Sequence, residues 1–170
     1  ILAGHAIALN IASIVFMLPL AIGLAAATRI GNLIGEKRLI DARYSSYTSV
    51  SLCLLGAFIN MIILIFLKET FTSFYTKDVL VFNVAVNLLV FAAIFQIPDG
   101  IQMGSLGALR GYKDTFIPMI YLIISYWIFA IPFGYFLTNF GFTTALGAKG
   151  MWIGMILGLI IFSIFIFYRL

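Results

Sequence analysis

VLVFNVAVNLLVFAAIFQIPDGIQMGSLGAL, residues 79–109, is a continuous apolar run that carries a single charged side chain, Asp99. A helix needs about 20 apolar residues to cross a hydrocarbon core about 30 Å thick. Strands that cross membranes show alternating segments of about 10 residues instead. The run therefore predicts a transmembrane helix, longer than the minimum that a bilayer requires.

Four more runs of this kind occur in the chain, so the predicted helices cover residues 5–34, 46–67, 79–109, 116–137 and 148–167. Apolar residues make up 64% of the 170 residues, and charged residues make up 9%. A soluble domain carries about 25% charged residues, enough to cover its surface. We therefore predict an all-α, polytopic membrane bundle that forms a single transmembrane region over residues 1–170, with the lipid bilayer as its first partner.

The basic residues lie mostly in the gaps between the apolar runs, where they indicate topology rather than nucleic-acid binding. One side of the membrane collects Lys37, Arg38, Arg43, Arg110, Lys113 and Arg169. The other side collects Lys68, Lys77 and Lys149. The positive-inside rule then predicts a periplasmic N-terminus and a cytoplasmic C-terminus. Because the chain enters an apolar stretch at Ile1 with no signal peptide ahead of it, we interpret it as a fragment of a longer protein.

Asp99 is the main candidate for a functional residue. It precedes Arg110, at the cytoplasmic end of its helix, by eleven residues, which is about 16 Å along a helix axis. An acid at that depth costs at least about 2.5 kcal/mol on insertion scales, so a cation, a proton or a polar partner must compensate it. Burial disfavours the charged carboxylate and a bound cation favours it, so two cations can be exchanged there.

The helical neighbours of Asp99 suggest a mixed polar and apolar cavity. Gln96 and Gln102 lie three residues before and after it, and Phe95 and Met103 lie four residues before and after it. Pro98 removes one backbone hydrogen bond and is predicted to act as a hinge beside the acid. A structural acid, hydrogen-bonded to a neighbouring helix, is the alternative interpretation.

Other polar residues give weaker signals. Asn10 is a further candidate for lining the cavity, whereas Asn60 is expected to make an interhelical hydrogen bond. His5 has no second His, Cys or acid at metal-ligand spacing, and Cys53 lacks a partner in the same way. The chain contains no GxSxG, HExxH, Walker or CxxC motif, so no enzyme activity, cofactor or resident metal is predicted.

Several segments resemble the multidrug and toxic compound extrusion (MATE) transporters, in the NorM-type branch. AGHAIALNIASIVFMLPLAIGLAAATRIGNLIG (residues 3–35) resembles their eighth helix, and FAAIFQIPDGIQMGSLGALRGYKDT (residues 91–115) resembles their tenth helix and the following loop. SYWIFAIPFGYFL is similar to the eleventh helix and GAKGMWIGMILGL to the start of the twelfth. The resemblance implies helices eight to twelve of a twelve-helix fold.

The resemblance also implies a function in the bacterial inner membrane. Such antiporters expel organic cations against inward Na⁺ or H⁺, and their tenth-helix acid, implicated in coupling, matches Asp99. The missing N-terminal lobe would then be a partner, and Na⁺ a candidate ligand of Asp99. Two positions depart from the family pattern: Phe95 replaces a frequent tyrosine, and Ala6 replaces a frequent glutamine. A flippase for lipid-linked oligosaccharides, or a membrane scaffold subunit that does not transport, remain alternatives.

Overall fold

The computed structural model describes residues 2–140 and 147–170, and those residues form helices joined by short turns. The helices are α1 (Leu2–Gly35), α2 (Leu39–Tyr75), α3 (Val79–Gly111), α4 (Phe116–Ile123), α5 (Ile131–Asn139) and α6 (Ala148–Arg169). A π-helical segment, Ile124–Ala130, connects α4 to α5, and these three pieces form one continuous fourth span. Five helices are long and apolar enough to cross a membrane, which confirms the predicted fold class. α2 is longer at both ends than hydropathy predicted.

α1 and α3 run parallel in close contact, in a constant register. Gly4 lies against Val84, Gly23 against Met103 and Gly31 against Gly111, and each pair is separated by 80 residues. The approach is so close that a Cβ atom on Gly23 would lie 2.8 Å from the carbonyl oxygen of Met103. Small residues let helix backbones approach in this way where no hydrophobic driving force is available.

α2 runs antiparallel to both helices and repairs the interruption that Pro19 makes in α1. Pro19 has no N–H, so the carbonyl of Val15, four residues earlier, loses its helical donor. The side-chain amide of Asn60 on α2 donates to that carbonyl at 2.7 Å. The thiol of Cys53, about two turns away from Asn60 on α2, donates to the carbonyl oxygen of Pro19 at 3.6 Å. The expected interhelical role of Asn60 is thereby confirmed.

The fourth span changes its helical hydrogen-bond pattern at mid-length. The N–H of Ile131 donates to the carbonyl of Tyr126, five residues earlier, as in a π-helix. Pro132 follows at once and cannot donate to a carbonyl of the preceding turn. The wider turn therefore occurs where proline disturbs the α-helical pattern.

α6 packs along the fourth span through a stripe of glycines. Gly150 contacts the backbone of Leu137, Gly154 contacts Gly134, and Gly158 lies near Ala130. The backbone of α6 also runs beside α3, but apart from isolated contacts it does not follow α1 or α2 within the described residues. α6 therefore joins two units. One is the hairpin formed by the fourth span and α6 itself, and the other is the three-helix unit formed by α1, α2 and α3.

The turns after α1 and α3 have the same backbone geometry. Lys37 and Lys113 both adopt a φ of 61°. The residue after each donates to a carbonyl five residues earlier: Arg38 to Leu33 and Asp114 to Leu109. These hydrogen bonds define Schellman motifs, which close helix C-termini and usually place glycine at the left-handed position.

Candidate functional site

Asp99 lies inside the bundle, at the level where both prolines interrupt their helices. The register of 80 residues between α1 and α3 places Asp99 beside Pro19. Its side chain and backbone together are 4% exposed. The carboxylate interacts electrostatically with Cys53 on α2 and with Tyr126 on the π-helical segment. α3 therefore presents its acid within electrostatic range of both α2 and the fourth span.

Within the described residues, the carboxylate of Asp99 has neither a hydrogen-bond donor nor an ion-pair partner. The basic side chains that form ion pairs there are Arg38 and Arg169, and both lie at the predicted cytoplasmic end. A locked interhelical hydrogen bond, the structural alternative for this acid, is therefore not formed by this part of the chain. A buried charge without a partner costs several kcal/mol unless it is neutralised.

Two glutamine oxygens flank the acid and also lack hydrogen-bond partners among the residues that the structure describes. Gln96 is 1% exposed, and its Oε1 atom is buried without a hydrogen bond. Gln102 is half-buried, and its Oε1 atom is likewise buried and unpaired. Residues three apart on a helix are surface neighbours about 5–6 Å apart at Cβ. The two amide oxygens therefore lie within side-chain reach of the carboxylate, one on each side.

The other predicted residues fall at different places. Phe95 is half-buried. Met103 is buried where α3 contacts Gly23 of α1. Pro98 is buried next to the acid. Asn10 is exposed, and its Oδ1 atom accepts a hydrogen bond from the hydroxyl of Tyr75 at 2.7 Å. Asn10 therefore links α1 to the end of α2, and no contact in the structure joins it to Asp99.

Sequence reasoning missed the contribution of the fourth span. Ser125 is fully buried, and its Oγ atom has no hydrogen-bond partner among the described residues. Tyr126, the next residue, interacts electrostatically with Asp99. Ser105, six residues beyond Asp99, is also fully buried, and its Oγ atom has no partner in the described part of the chain either. Pro132 was the one signal in the sequence for an irregular turn at this level.

A polar contact links α1 to α6 near the predicted periplasmic end. The indole nitrogen of Trp152 donates to Nδ1 of His5 at 3.2 Å. The two rings meet edge to face with their centroids 5.8 Å apart. Trp152 is 2% exposed and packs into a core cluster with Ala8 and Ile11. His5 is thus a packed interhelical residue rather than a solvent-facing one.

A cavity of about 840 Å³ opens between α1 and α2 near the predicted cytoplasmic end. Its polar lining includes Arg29, Asn32, Arg38 and Asp41, but not Asp99. The Arg38 side chain donates to Asp41 at 2.8 Å, and that hydrogen bond raises the pKa of the guanidinium. This cavity is therefore separate from the site around Asp99.

Asp99 and the unpaired amide oxygens of Gln96 and Gln102 offer oxygen ligands along one stretch of α3. Hard cations prefer carboxylate and amide oxygens as ligands, so Asp99 with the oxygens of Gln96 and Gln102 suits an alkali cation. The same carboxylate can instead hold a proton. Among the described residues, no group of three or more His, Cys, Asp or Glu side chains could hold a metal ion.

Comparisons with known proteins relate this chain to one transporter family. The MatE family model matches residues 1–136. The chain is 38% identical over 169 residues to a probable multidrug resistance protein NorM of Bacillus thuringiensis subsp. konkukian, covering 99% of this chain and 37% of that protein. It is 40% identical over 163 residues to the multidrug resistance protein NorM of Vibrio vulnificus, covering 94% of this chain and 35% of that protein.

Two solved structures share the fold. The crystal structure of the eukaryotic MATE transporter AtDTX14 matches with a TM-score of 0.90 and 22% identity, over 98% of this chain and 37% of that one. An outward-facing conformation of a multidrug resistance MATE family transporter matches with a TM-score of 0.87 and 16% identity, over 98% of this chain and 37% of that one. The chain thus spans about 37% of these proteins, consistent with helices eight to twelve.

Proposed function

Since the chain belongs to the MATE family, we propose that it forms part of a multidrug efflux antiporter that exports organic cations against Na⁺ or H⁺. The NorM relatives are described as multidrug resistance proteins, which supports drugs as the exported substrates. The missing N-terminal lobe would supply the other half of the transport cavity. The cation coupling rests on Asp99.

One observation carries the proposal: Asp99, predicted at mid-depth, is 4% exposed without a hydrogen-bond or ion-pair partner in the described part of the chain. Acidic side chains inside membrane spans are rare, and they mark ion pathways and proton relays. The flanking oxygens of Gln96 and Gln102 support a cation site rather than a purely structural acid. Phe95 and Met103 would give the cavity its apolar part.

In the proposed cycle, Asp99 takes up Na⁺ or H⁺ from the periplasmic side and releases it to the cytoplasm. Neutralising the carboxylate removes the cost of a bare charge in the bundle, and organic-cation binding provides the alternative neutralisation. Because both cations compete for one carboxylate, each displaces the other. Pro98 would act as the hinge that couples this exchange to alternating access between the two lobes.

The proposed orientation in the bacterial inner membrane follows the positive-inside rule. Both Schellman turns and the ion pair between Arg169 and Asp114 (2.9 Å) would face the cytoplasm. The bond between His5 and Trp152 would close the periplasmic end. Cysteine accessibility at Lys113 and Lys77 in intact cells would test this orientation.

Drug efflux by the full-length protein tests the proposal. Asp99→Asn and Asp99→Ala should each abolish cation-driven efflux, because neither side chain can exchange a charge. Asp41→Asn is the matched control, since Asp41 is an exposed acid paired with Arg38, and its efflux should match the wild type. Unchanged efflux in both Asp99 variants would refute the coupling role. Flipping of lipid-linked oligosaccharide without drug efflux would support the flippase alternative.

A further inference from the structure

A second cavity opens on the outer surface of the bundle, away from Asp99. It has a volume of about 330 Å³ and lies between α2, α3 and α6. α2 contributes Tyr47 to Leu54, a length of about 10 Å at 1.5 Å per residue. That is about two-thirds of one leaflet, since the hydrocarbon core is about 30 Å thick. Its lining residues are Tyr47, Val50, Ser51, Leu54, Ile101, Ser163, Ile164 and Phe167.

This groove exists because α2 and α6 both pack on α3 but scarcely on each other in the described residues. Ile101 of α3 forms its floor. On the walls, Tyr47 is 43% exposed, Ile164 is 59% exposed and Phe167 is 48% exposed. The groove is therefore open at the side of the described helices, and Asp99 is not part of its lining.

The groove presents an apolar surface despite its two serines. The Ser51 hydroxyl donates to the carbonyl of Tyr47 at 3.0 Å, four residues earlier on the same helix. The Ser163 hydroxyl donates to the carbonyl of Ile160, three residues earlier on its own helix, at 2.8 Å. Because both hydroxyl protons are used within their own helices, an occupant gains little by offering hydrogen-bonding groups. An alkyl chain suits this lining.

A free positive charge lies at one end of the groove. The guanidinium of Arg43 sits 6.0 Å from the centre of the Tyr47 ring, one helical turn away, and forms no ion pair within the described residues. The other arginine nearby in the chain's last turn, Arg169, is already bonded to Asp114. Arg43 is thus positioned to meet an anionic group above an alkyl chain.

We propose that this groove binds an anionic phospholipid of the cytoplasmic leaflet, with one acyl chain between α2 and α6 and its phosphate at Arg43. Arginine pairs with phosphate through two parallel hydrogen bonds. Basic pockets between transmembrane helices on the cytoplasmic side bind anionic head groups. The inference rests on the membrane orientation proposed above but not on the transport role, because no residue of the groove belongs to the Asp99 site.

Lipid retention by the full-length protein tests the site. The protein is reconstituted in nanodiscs with equal phosphatidylglycerol and phosphatidylcholine, extracted gently, and analysed by native mass spectrometry for bound lipid. The wild type should retain phosphatidylglycerol preferentially. Arg43→Gln should lower that preference about fivefold, the equivalent of roughly 1 kcal/mol for one basic side chain near the membrane surface. Lys77→Gln, on the opposite side, is the control and should leave the preference unchanged.

A second variant tests the binding site of the acyl chain. Ser51→Phe fills the groove from its exposed wall and should reduce retention of both lipids, with the thermal unfolding of the protein unchanged. Unaltered preference in Arg43→Gln, an equal loss in Lys77→Gln, or full retention in Ser51→Phe would each overturn the proposal. So would a wild-type protein that retains both lipids equally, or neither, since another occupant would then fill the groove.

Discussion

The hydrogen bond from Asn60 to the carbonyl of Val15 should be needed only because Pro19 is present. Asn60→Leu removes the donor, and the carbonyl, with no N–H at position 19 to replace it, is left unpaired inside the bundle. A buried acceptor without a partner costs about 1–3 kcal/mol, whereas hydrogen bonds between membrane helices average about 0.6 and reach about 1.7 kcal/mol. The bond is 2.7 Å long and Asn60 is 5% exposed, so we expect a loss of about 1–2 kcal/mol.

A double-mutant cycle isolates this hydrogen bond from the packing change. In a Pro19→Ala background the new backbone N–H can donate to Val15, so Asn60→Leu should cost about 1 kcal/mol less there. The cycle is measured by equilibrium unfolding of the full-length protein in mixed micelles. Asn87→Leu is the control, because Asn87 is exposed and donates within its own helix at 2.8 Å, and its cost should be equal in both backgrounds.

The coupling energy distinguishes a hydrogen bond that depends on Pro19 from one that does not. Independent sites add within about 0.3–0.5 kcal/mol, so a coupling energy inside that range would refute the reasoning. It would mean that Val15 finds another partner, such as a water molecule, when Asn60 is removed. A coupling near 1 kcal/mol, absent from the Asn87 control, would show that α2 compensates the proline of α1.

Three further changes follow from the packing and the turns. Gly107→Ala should destabilise the bundle by about 1–3 kcal/mol, because the new Cβ atom would overlap the backbone of α1. Gly35→Ala is the control and should leave stability unchanged, since Gly35 has open space around it. Thermal unfolding distinguishes the two variants. Lys113→Gly should raise stability by about 1 kcal/mol, because the left-handed conformation costs a residue with a Cβ roughly that much; a lower melting temperature would contradict this. Arg169→Gln should cost under about 1 kcal/mol, and a loss that persists in high salt would argue against an ionic role in its contact with Asp114.

Hydropathy located the five spans because the free energy of transfer into lipid accumulates residue by residue. It placed the ends of α2 too far inward, since helical hydrogen bonds continue from Leu39 to Tyr75 through residues that are no longer apolar. Charge spacing predicted the depth of Asp99, and helical periodicity placed Gln96 and Gln102 beside it. Those features are local in the chain, so local patterns could predict them.

The remaining features depend on contacts between distant residues. His5 and Trp152 are 147 residues apart, and neither has a local feature that indicates the other. The constant register of α1 and α3 follows from glycines whose partners lie on another helix, so it could be seen only once both helices were packed. Tyr126 and Asp99 likewise lie on different spans, so the electrostatic interaction between them depends on how the fourth span packs.

The attachment of the last two helices through α3 bears on how the protein is made. Every close glycine contact between the first three helices involves residues 4–111, so that unit is complete before the ribosome has synthesised the fourth span. The hairpin of the fourth span and α6 carries its own glycine contacts and joins a finished surface. Translation from the N-terminus and helix assembly can therefore proceed in the same order, and a nascent chain stopped after residue 115 should already protect Gly23 and Asn60 from lipid.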